Sequence, residues 1–263
     1  MNLSFITRNS IAILLVAAMS SSVNAGIVAS DNFEAGDWAA FWGSTVYATV
    51  ASDLSKDGGY AAKLTYPGVA IDEDGWAELR FDLGVPYEEL SIRFDLYIPG
   101  NYKHRDAPGG DNNKFFRLWS ETYADLEKVG AGFLRQGSVG ESSIGTDYRR
   151  YADWGVSTGV VEAGDFVTMD DVGKWMAVVI YVKAATDLAP AEVRIYKNGK
   201  LHLDDAPSLN YKAGTQGYRY GYLLGWANSG YTEKTSFYID NVEFHNNDIM
   251  SRAPDKPDSF RVD

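Results

Sequence analysis

The chain of 263 residues contains no cysteine. Disulfide staples, thiol nucleophiles and cysteine-based zinc sites are thereby excluded. Histidine is scarce as well, with three residues, His104, His202 and His245. Positive charge is in deficit: 24 Lys and Arg stand against 36 Asp and Glu, for a formal net charge of −12. An acidic body of this kind repels nucleic acid and anionic membrane, so neither is an expected partner. A polysaccharide is not excluded, although an anionic one would need a locally basic groove. Helical periodicity is rare, and serine-nucleophile and phosphate-loop motifs are missing. Gly130-x-Gly132 lacks the third glycine and the strand-to-helix setting of a dinucleotide site. The sustained apolar run, Ile11 to Met19, is shorter than the ~20 residues that cross a bilayer. It follows Arg8 and precedes Val23-Asn24-Ala25, the pattern of a secretion signal over residues 1–25 cleaved before Gly26. Export without cysteine points to a bacterial protein, secreted or periplasmic.

Period-two alternation is what the chain has in quantity. It predicts strands at 61–66, Trp76 to Leu83, Leu90 to Ile98, Asn113 to Trp119, Val129 to Gln136, Trp175 to Lys183, Ala191 to Lys197, Tyr220 to Trp226 and Ser236 to Phe244. Turn residues separate them, and Asn198-Gly199 is a strong hairpin signal because both residues accept the positive φ angles of a type I′ turn. Many strands and short turns select an all-β antiparallel sandwich. A single domain over residues 26–245 is expected, as a monomer. The polar segment 246–263 reads as a loosely packed tail.

Two short motifs bracket the domain. Asp31-Asn32-Phe33-Glu34-Ala35-Gly36, followed by Trp38, opens it; Ser236 to Phe244, with Ile239-Asp240-Asn241-Val242 at its centre, closes it. They read as first and last strands meeting on one sheet. The pair resembles the ends of secreted concanavalin A-like jelly rolls, a group of carbohydrate-binding modules and of polysaccharide lyases and glucanases. The resemblance implies a two-sheet jelly roll with a glycan cleft on its concave sheet. It also implies a structural Ca²⁺ between the two ends, with Glu34 and Asp240 at the matching ligand positions, completed by Asp31, Asn32 or backbone carbonyls.

Alternation assigns side chains to faces. Trp76, Glu78 and Arg80 project opposite the apolar set Ala77, Leu79 and Phe81, and Arg93, Asp95 and Tyr97 opposite Ile92, Phe94 and Leu96. Pairing Phe116 with Leu118 in the core puts Asn113, Phe115, Arg117 and Trp119 on the polar face. Trp175, Val179, Tyr181 and Lys183 oppose Met176, Val178, Ile180 and Val182, and Arg135 ends a glycine-rich strand. A face mixing aromatic rings, cations and amides suits sugars, which offer apolar C–H faces and many hydroxyls. Charged cross-strand pairs on any solvent-facing sheet would give the same pattern.

The step Glu78-Leu79-Arg80 is similar to the arginine-bearing strand of alginate lyases and related jelly-roll lyases. The Gln-x-His strand of those families is absent, and so is the Glu-x-Asp-x-Glu of jelly-roll glucanases. Paired carboxylates occur as Asp72-Glu73-Asp74 and Asp204-Asp205, both read as loops, which disfavours glycoside hydrolysis. β-Elimination needs a cation to neutralise a uronate carboxylate, a base for the C5 proton and an acid for the leaving oxygen. The catalytic set expected is Arg80, Arg117, Tyr181 and His104, with Tyr97, Tyr220 and Tyr222 as further proton carriers. Trp76, Glu78, Arg93, Tyr97, Asn113, Trp119, Arg135 and Lys183 are expected to bind substrate. His104 lies in the basic run Tyr102-Lys103-His104-Arg105-Asp106, within a long Pro/Gly loop that reads as a lid or a solvated loop. The sequence thus favours a lyase of an anionic glycan; a non-catalytic lectin-like protein or an adhesive surface protein would share the fold.

Overall fold

The computed structural model describes residues 26–71, 73–105, 113–120, 128–136, 140–149, 161–185, 189–206 and 217–251. The signal segment and the last twelve residues lie outside them. The strands are β1 (Ile27–Asp31), β2 (Ala48–Ala51), β3 (Ala61–Tyr66), β4 (Gly75–Trp76), β5 (Leu79–Tyr87), β6 (Glu89–Tyr97), β7 (Asn113–Trp119) and β8 (Lys128–Gln136). They continue as β9 (Glu141–Arg149), β10 (Glu162–Val167), β11 (Trp175–Lys183), β12 (Glu192–Lys197), β13 (Lys200–Asp205), β14 (Tyr218–Leu223), β15 (Trp226–Ala227) and β16 (Thr235–His245). No helix occurs among the described residues.

Two antiparallel sheets of eight strands each form a jelly-roll sandwich. The first runs β13-β12-β11-β6-β16-β3-β2, and the second β10-β9-β8-β7-β14-β5, with β15 pairing β4 and β7. The end motifs meet as their spacing predicts: β3 pairs the first half of β16, and β1 pairs its second half, Asp31 opposite Val242. The pairing changes at a bulge after Asp240, where Asn241 takes φ 51°. An Asn there is fitting, since its short polar side chain tolerates the left-handed region. Asn198 and Gly199, with φ of 50° and 77°, make the β12–β13 turn.

The sheets face each other through rings. Phe81 lies 4.7 Å from Phe244, Phe94 6.1 Å from Phe115, and Phe133 6.5 Å from Phe237, each pair joining the second sheet to the first. All six are buried. Each buried side chain of this size contributes about 1.5–3 kcal/mol over its exposed state, so a core of this extent needs no disulfide.

Four strands that alternation does not reveal are β2, β9, β10 and β13. β9 reads Glu-Ser-Ser-Ile-Gly-Thr-Asp-Tyr-Arg, with a lone aliphatic residue, so its strand character comes from pairing with β8 over nine residue pairs. Asp204 and Asp205, read from sequence as a loop, lie in β13 opposite Arg194 and Val193. The tail expected from residue 246 is anchored at its start. Gly26 N donates to Asn246 Oδ1 (2.8 Å), Ser91 Oγ to the carbonyl of Asn247 (2.6 Å), and Arg194 pairs with Asp248 (2.8 Å).

Candidate functional site

On the second sheet, β14 lies between β5 and β7, and Tyr222 is in register with Arg80 on one side and Arg117 on the other. Their neighbours Leu79, Phe81, Phe116, Leu118 and Leu223 all enter the core. Arg80, Tyr222 and Arg117 therefore form one row on the outer face. The row continues onto Gly130 of β8. A Cβ at Gly130 would stand 2.6 Å from Arg117 Cδ and 2.7 Å from its Nη1, so the bare glycine is what lets the guanidinium lie flat across β8. One step along the strands, Asp82, Tyr220 and Trp119 form a second row. The Trp119 and Tyr222 rings lie 5.4 Å apart, and Arg219 grips Asp82 through two bonds of 2.6 and 2.9 Å.

A relay orders the near end of the site. Trp76 Nε1 donates to Glu78 Oε2 (2.8 Å), and the other oxygen of Glu78 pairs with Arg80 Nε. Glu78 is 3% exposed, so its charge is tolerable only because both partners hold it. The Trp76 ring lies 5.2 Å from that of Trp226, which is 40% exposed. Lys114 and Tyr222 both flank the bare face of Gly225: a Cβ there would meet the Tyr222 ring at 2.6 Å and Lys114 Cβ at 3.2 Å. Although Arg117 and Tyr222 point away from the core, they are only 1% and 8% exposed. Arg80 keeps 28% of its side chain in solvent, which makes its end of the row the accessible one.

Several expected members lie elsewhere. Tyr181, Arg93, Tyr97 and Lys183 occupy the outer face of the first sheet, on the far side of the sandwich, because β6 and β11 belong to that sheet. There they make the cross-strand pairs of a solvated face: Lys183–Glu89 (3.1 Å), Arg93–Glu243 (3.6 Å), and Tyr97 against Trp175 (5.5 Å). Tyr181 lies beneath the Arg194 guanidinium (4.3 Å). Burial, with Glu89 and Glu192 nearby, pushes its phenol well above the usual value, a poor setting for proton transfer.

His104 is buried at 3% exposure. Its amide donates to the Gly140 carbonyl (2.8 Å), and its Nδ1 lies 3.5 Å from the Tyr102 hydroxyl. Tyr102 itself packs between Phe133 and Phe237, one core ring from each sheet. Arg105 donates to the carbonyls of Val69 and Ala70, while Asp106 lies outside the described residues. Phe115 belongs to the core, because the β7–β8 register shifts between Lys114 and Phe116. The shift lets Phe115 and Phe116 both face inward and puts Lys114 beside Tyr222. Asn113 is buried, its Oδ1 accepting from Ser229 N (3.0 Å) and Ser229 Oγ (2.9 Å), a brace for the turn after β15. Arg135 is opposite Ser142 in the β8–β9 register; its side chain lies outside the described residues. Lys114 and Trp226 are members that sequence reasoning missed. The aromatic pair Trp76 and Trp226 carried a signal, but Lys114 was hidden by the register shift.

Glu34 and Asp240 converge on the loop between β2 and β3. Both Glu34 oxygens accept from Gly59 N (3.0 and 2.9 Å), and Asp240 accepts from Lys56 N and Asn241 N, each at 2.8 Å. Burial and then the charge of Glu34 raise the Asp240 carboxyl above its ordinary value, outweighing those amides. Among the described residues no three His, Cys, Asp or Glu side chains group as metal ligands. The hard carboxylate oxygens fit calcium, but two carboxylates fall short of its 6–8 oxygens, and backbone carbonyls or water would have to supply the rest. Asp31 serves another purpose: its oxygens accept from Phe33 N (2.8 Å), Ala39 N (3.1 Å) and Trp42 Nε1 (2.7 Å).

Comparison with known proteins gives the fold. No family model and no curated protein matches the sequence. Among solved structures, the chain is similar to alginate lyase Aly36B in complex with alginate trisaccharide, with a TM-score of 0.56, 12% identity, and coverage of 82% of this chain and 96% of that one. It is also similar to the endo-β-1,4-glucuronan lyase of the fungus Trichoderma reesei (0.53, 13%, 77% and 90%) and to the cellulose induced protein Cip1 (0.51, 13%, 83% and 97%).

Proposed function

We propose that this protein is an exported polysaccharide lyase that cleaves an anionic glycan by β-elimination on the outer face of the second sheet. The observation that carries the reading is the row Arg80, Tyr222, Arg117, two guanidiniums flanking a phenol on three adjacent strands. Neighbouring strands lie about 4.8 Å apart, so a pyranose unit laid over β5 and β14 meets the accessible Arg80 side chain and the Tyr222 phenol, with Arg117 buried beside that phenol. The Arg80 guanidinium binds the uronate carboxylate, and the buried charge of Arg117 beside Tyr222 helps stabilise the charge that develops as the C5 proton leaves. The phenol of Tyr222 is placed to move protons: as phenolate it takes the C5 proton, and as phenol it returns one to the departing C4 oxygen. The C4–O bond breaks as the C4=C5 double bond forms, so neither water nor an oxidant is consumed. Trp76 and Trp226 offer ring faces for the adjoining sugar. The lyases of alginate and glucuronan to which the chain is similar in fold support the reading as analogues.

Exposed Trp226 and half-buried Trp76 beside Arg80 would equally serve a lectin that binds without cleaving, and this is the second reading. Incubation with alginate and with glucuronan, followed by ultraviolet absorbance at the unsaturated-uronate band, decides between them. Growing absorbance supports the lyase; retention on both polymers with flat absorbance leaves the lectin. We propose also that Glu34 and Asp240 hold a structural calcium ion with carbonyls of the loop they clamp, remote from the row.

A further inference from the structure

The chain passes from the second sheet to the first at Tyr47. Val46 still bridges to Glu78, and Ala48 begins β2. The corner is made by a left-handed backbone at Tyr47, with φ 48°. Glycine or asparagine would adopt it with less strain, and a bulky side chain in this region is an outlier that points to another use. Tyr47 gives nothing to the core: it is 67% exposed, the most exposed of the large apolar or aromatic side chains among the described residues. Its ring borders a groove of about 550 Å³ at the free edge of the first sheet, lined also by Thr49, Thr65, Pro67, Gly68 and Lys234.

The lining has the mixture that a sugar needs. The Tyr47 ring offers a stacking face, and the Thr65 hydroxyl, 3.0 Å from that of Ser236, offers a polar rim together with exposed Thr49. Lys234 makes no ion pair among the described residues, whereas Lys63, on the same face, is paired with Asp53. In a chain of net charge −12 an unpaired ammonium beside an exposed ring selects an acidic group on the ligand. Gly68 lets its segment pack tightly against the one that carries Lys234, since a Cβ there would stand 2.9 Å from Glu233 Cα.

We infer that this groove is a second glycan site, on the opposite sheet from the Arg80–Tyr222–Arg117 row, which takes a uronate-bearing pyranose unit. It would hold a polymer at a distance from the row and does not depend on cleavage there. The test is titration of the ¹⁵N-labelled protein with alginate trisaccharide and glucuronan trisaccharide, with cellotriose as the neutral control. Amides of Thr49, Thr65 and Lys234 should shift with at least one acidic trisaccharide and stay still with cellotriose. Tyr47→Gly, which suits the corner backbone, should keep the fold by circular dichroism while losing those shifts, and Lys234→Ala should weaken them at least several-fold. The inference is overturned if neither acidic trisaccharide moves these amides, or if Tyr47→Gly binds like the parent. Shifts confined to Arg80, Arg117 and Tyr222 would leave the proposed function standing and remove this site; shifts confined to the groove would do the reverse.

Discussion

At the scale of the residue, Arg117 and Tyr222 carry the proposed chemistry, and their contributions separate. Tyr222→Phe removes one hydroxyl and keeps the ring against Trp119. It should lower kcat on alginate or glucuronan by roughly 10²–10⁴-fold, the usual range for a lost general acid or base, with the melting temperature little changed. Arg117→Ala removes the buried positive charge beside Tyr222 and leaves a void under the row, so it should lower kcat and the melting temperature together. Full activity in Tyr222→Phe would remove the phenol from the mechanism. Asp171 makes a different prediction. Burial pushes its carboxyl up, but the Lys197 ammonium (2.6 Å), with Thr168 N and Oγ1 (2.8 and 2.9 Å), outweighs this and holds it below the usual range. Its lowered folded value means stability that is present above the ordinary carboxylate value near ~3.9 and is lost as pH falls through the folded one. Asp53 and Asp82, lowered first by Lys63 and Arg219 respectively, act in the same direction. Melting temperature should therefore drop steeply below about pH 4, and Asp171→Asn should flatten part of that drop. An acid limb unchanged in Asp171→Asn would refute this assignment.

At the scale of the element, β7 shows why the site is set by pairing. Alternation alone made Phe115 an outward residue, yet one register shift against β8 turns it inward and brings Lys114 to the outer face. The glycines of the neighbouring strand matter for the same reason. Gly130→Ala should displace Arg117, because the added methyl would lie 2.4 Å from the Phe116 carbonyl oxygen as well as against the guanidinium. The expected result is a loss of activity comparable to Arg117→Ala together with a melting temperature lower by several degrees, read by scanning calorimetry. Activity and stability both at the parental level would show that Arg117 does not lie across β8 in solution.

At the scale of the whole molecule, β1 and β16 close on one sheet, and Glu34 and Asp240 tie the β2–β3 loop to that closure. If calcium occupies this point, the melting temperature should rise with added Ca²⁺ and fall in chelator, since an ion bound only by the folded state stabilises it by mass action. Asp240→Ala should abolish the difference. Equal melting in calcium and in chelator, with metal analysis showing none bound, would leave backbone amides, among them those of Lys56, Gly59, Tyr60 and Asn241, as the partners of these carboxylates.

The sequence by itself determined the all-β class, most of the strands, the Asn198-Gly199 turn and the meeting of the end motifs. These rest on local periodicity and turn chemistry, which short stretches of chain specify. It also identified Arg80, Glu78, Trp76, Arg117 and Trp119 as outward-facing, since alternation fixes which side of its own strand a residue occupies. It could not say which sheet a strand joins. Arg93, Tyr97, Tyr181 and Lys183 have the same local pattern as Arg80 and Arg117, yet β6 and β11 pair within the first sheet, and their outward residues form compensated pairs on the other side of the molecule. Only the long-range pairing of β14 between β5 and β7 put Tyr222 between two arginines, because strand order depends on contacts between residues more than a hundred positions apart, which local patterns do not encode.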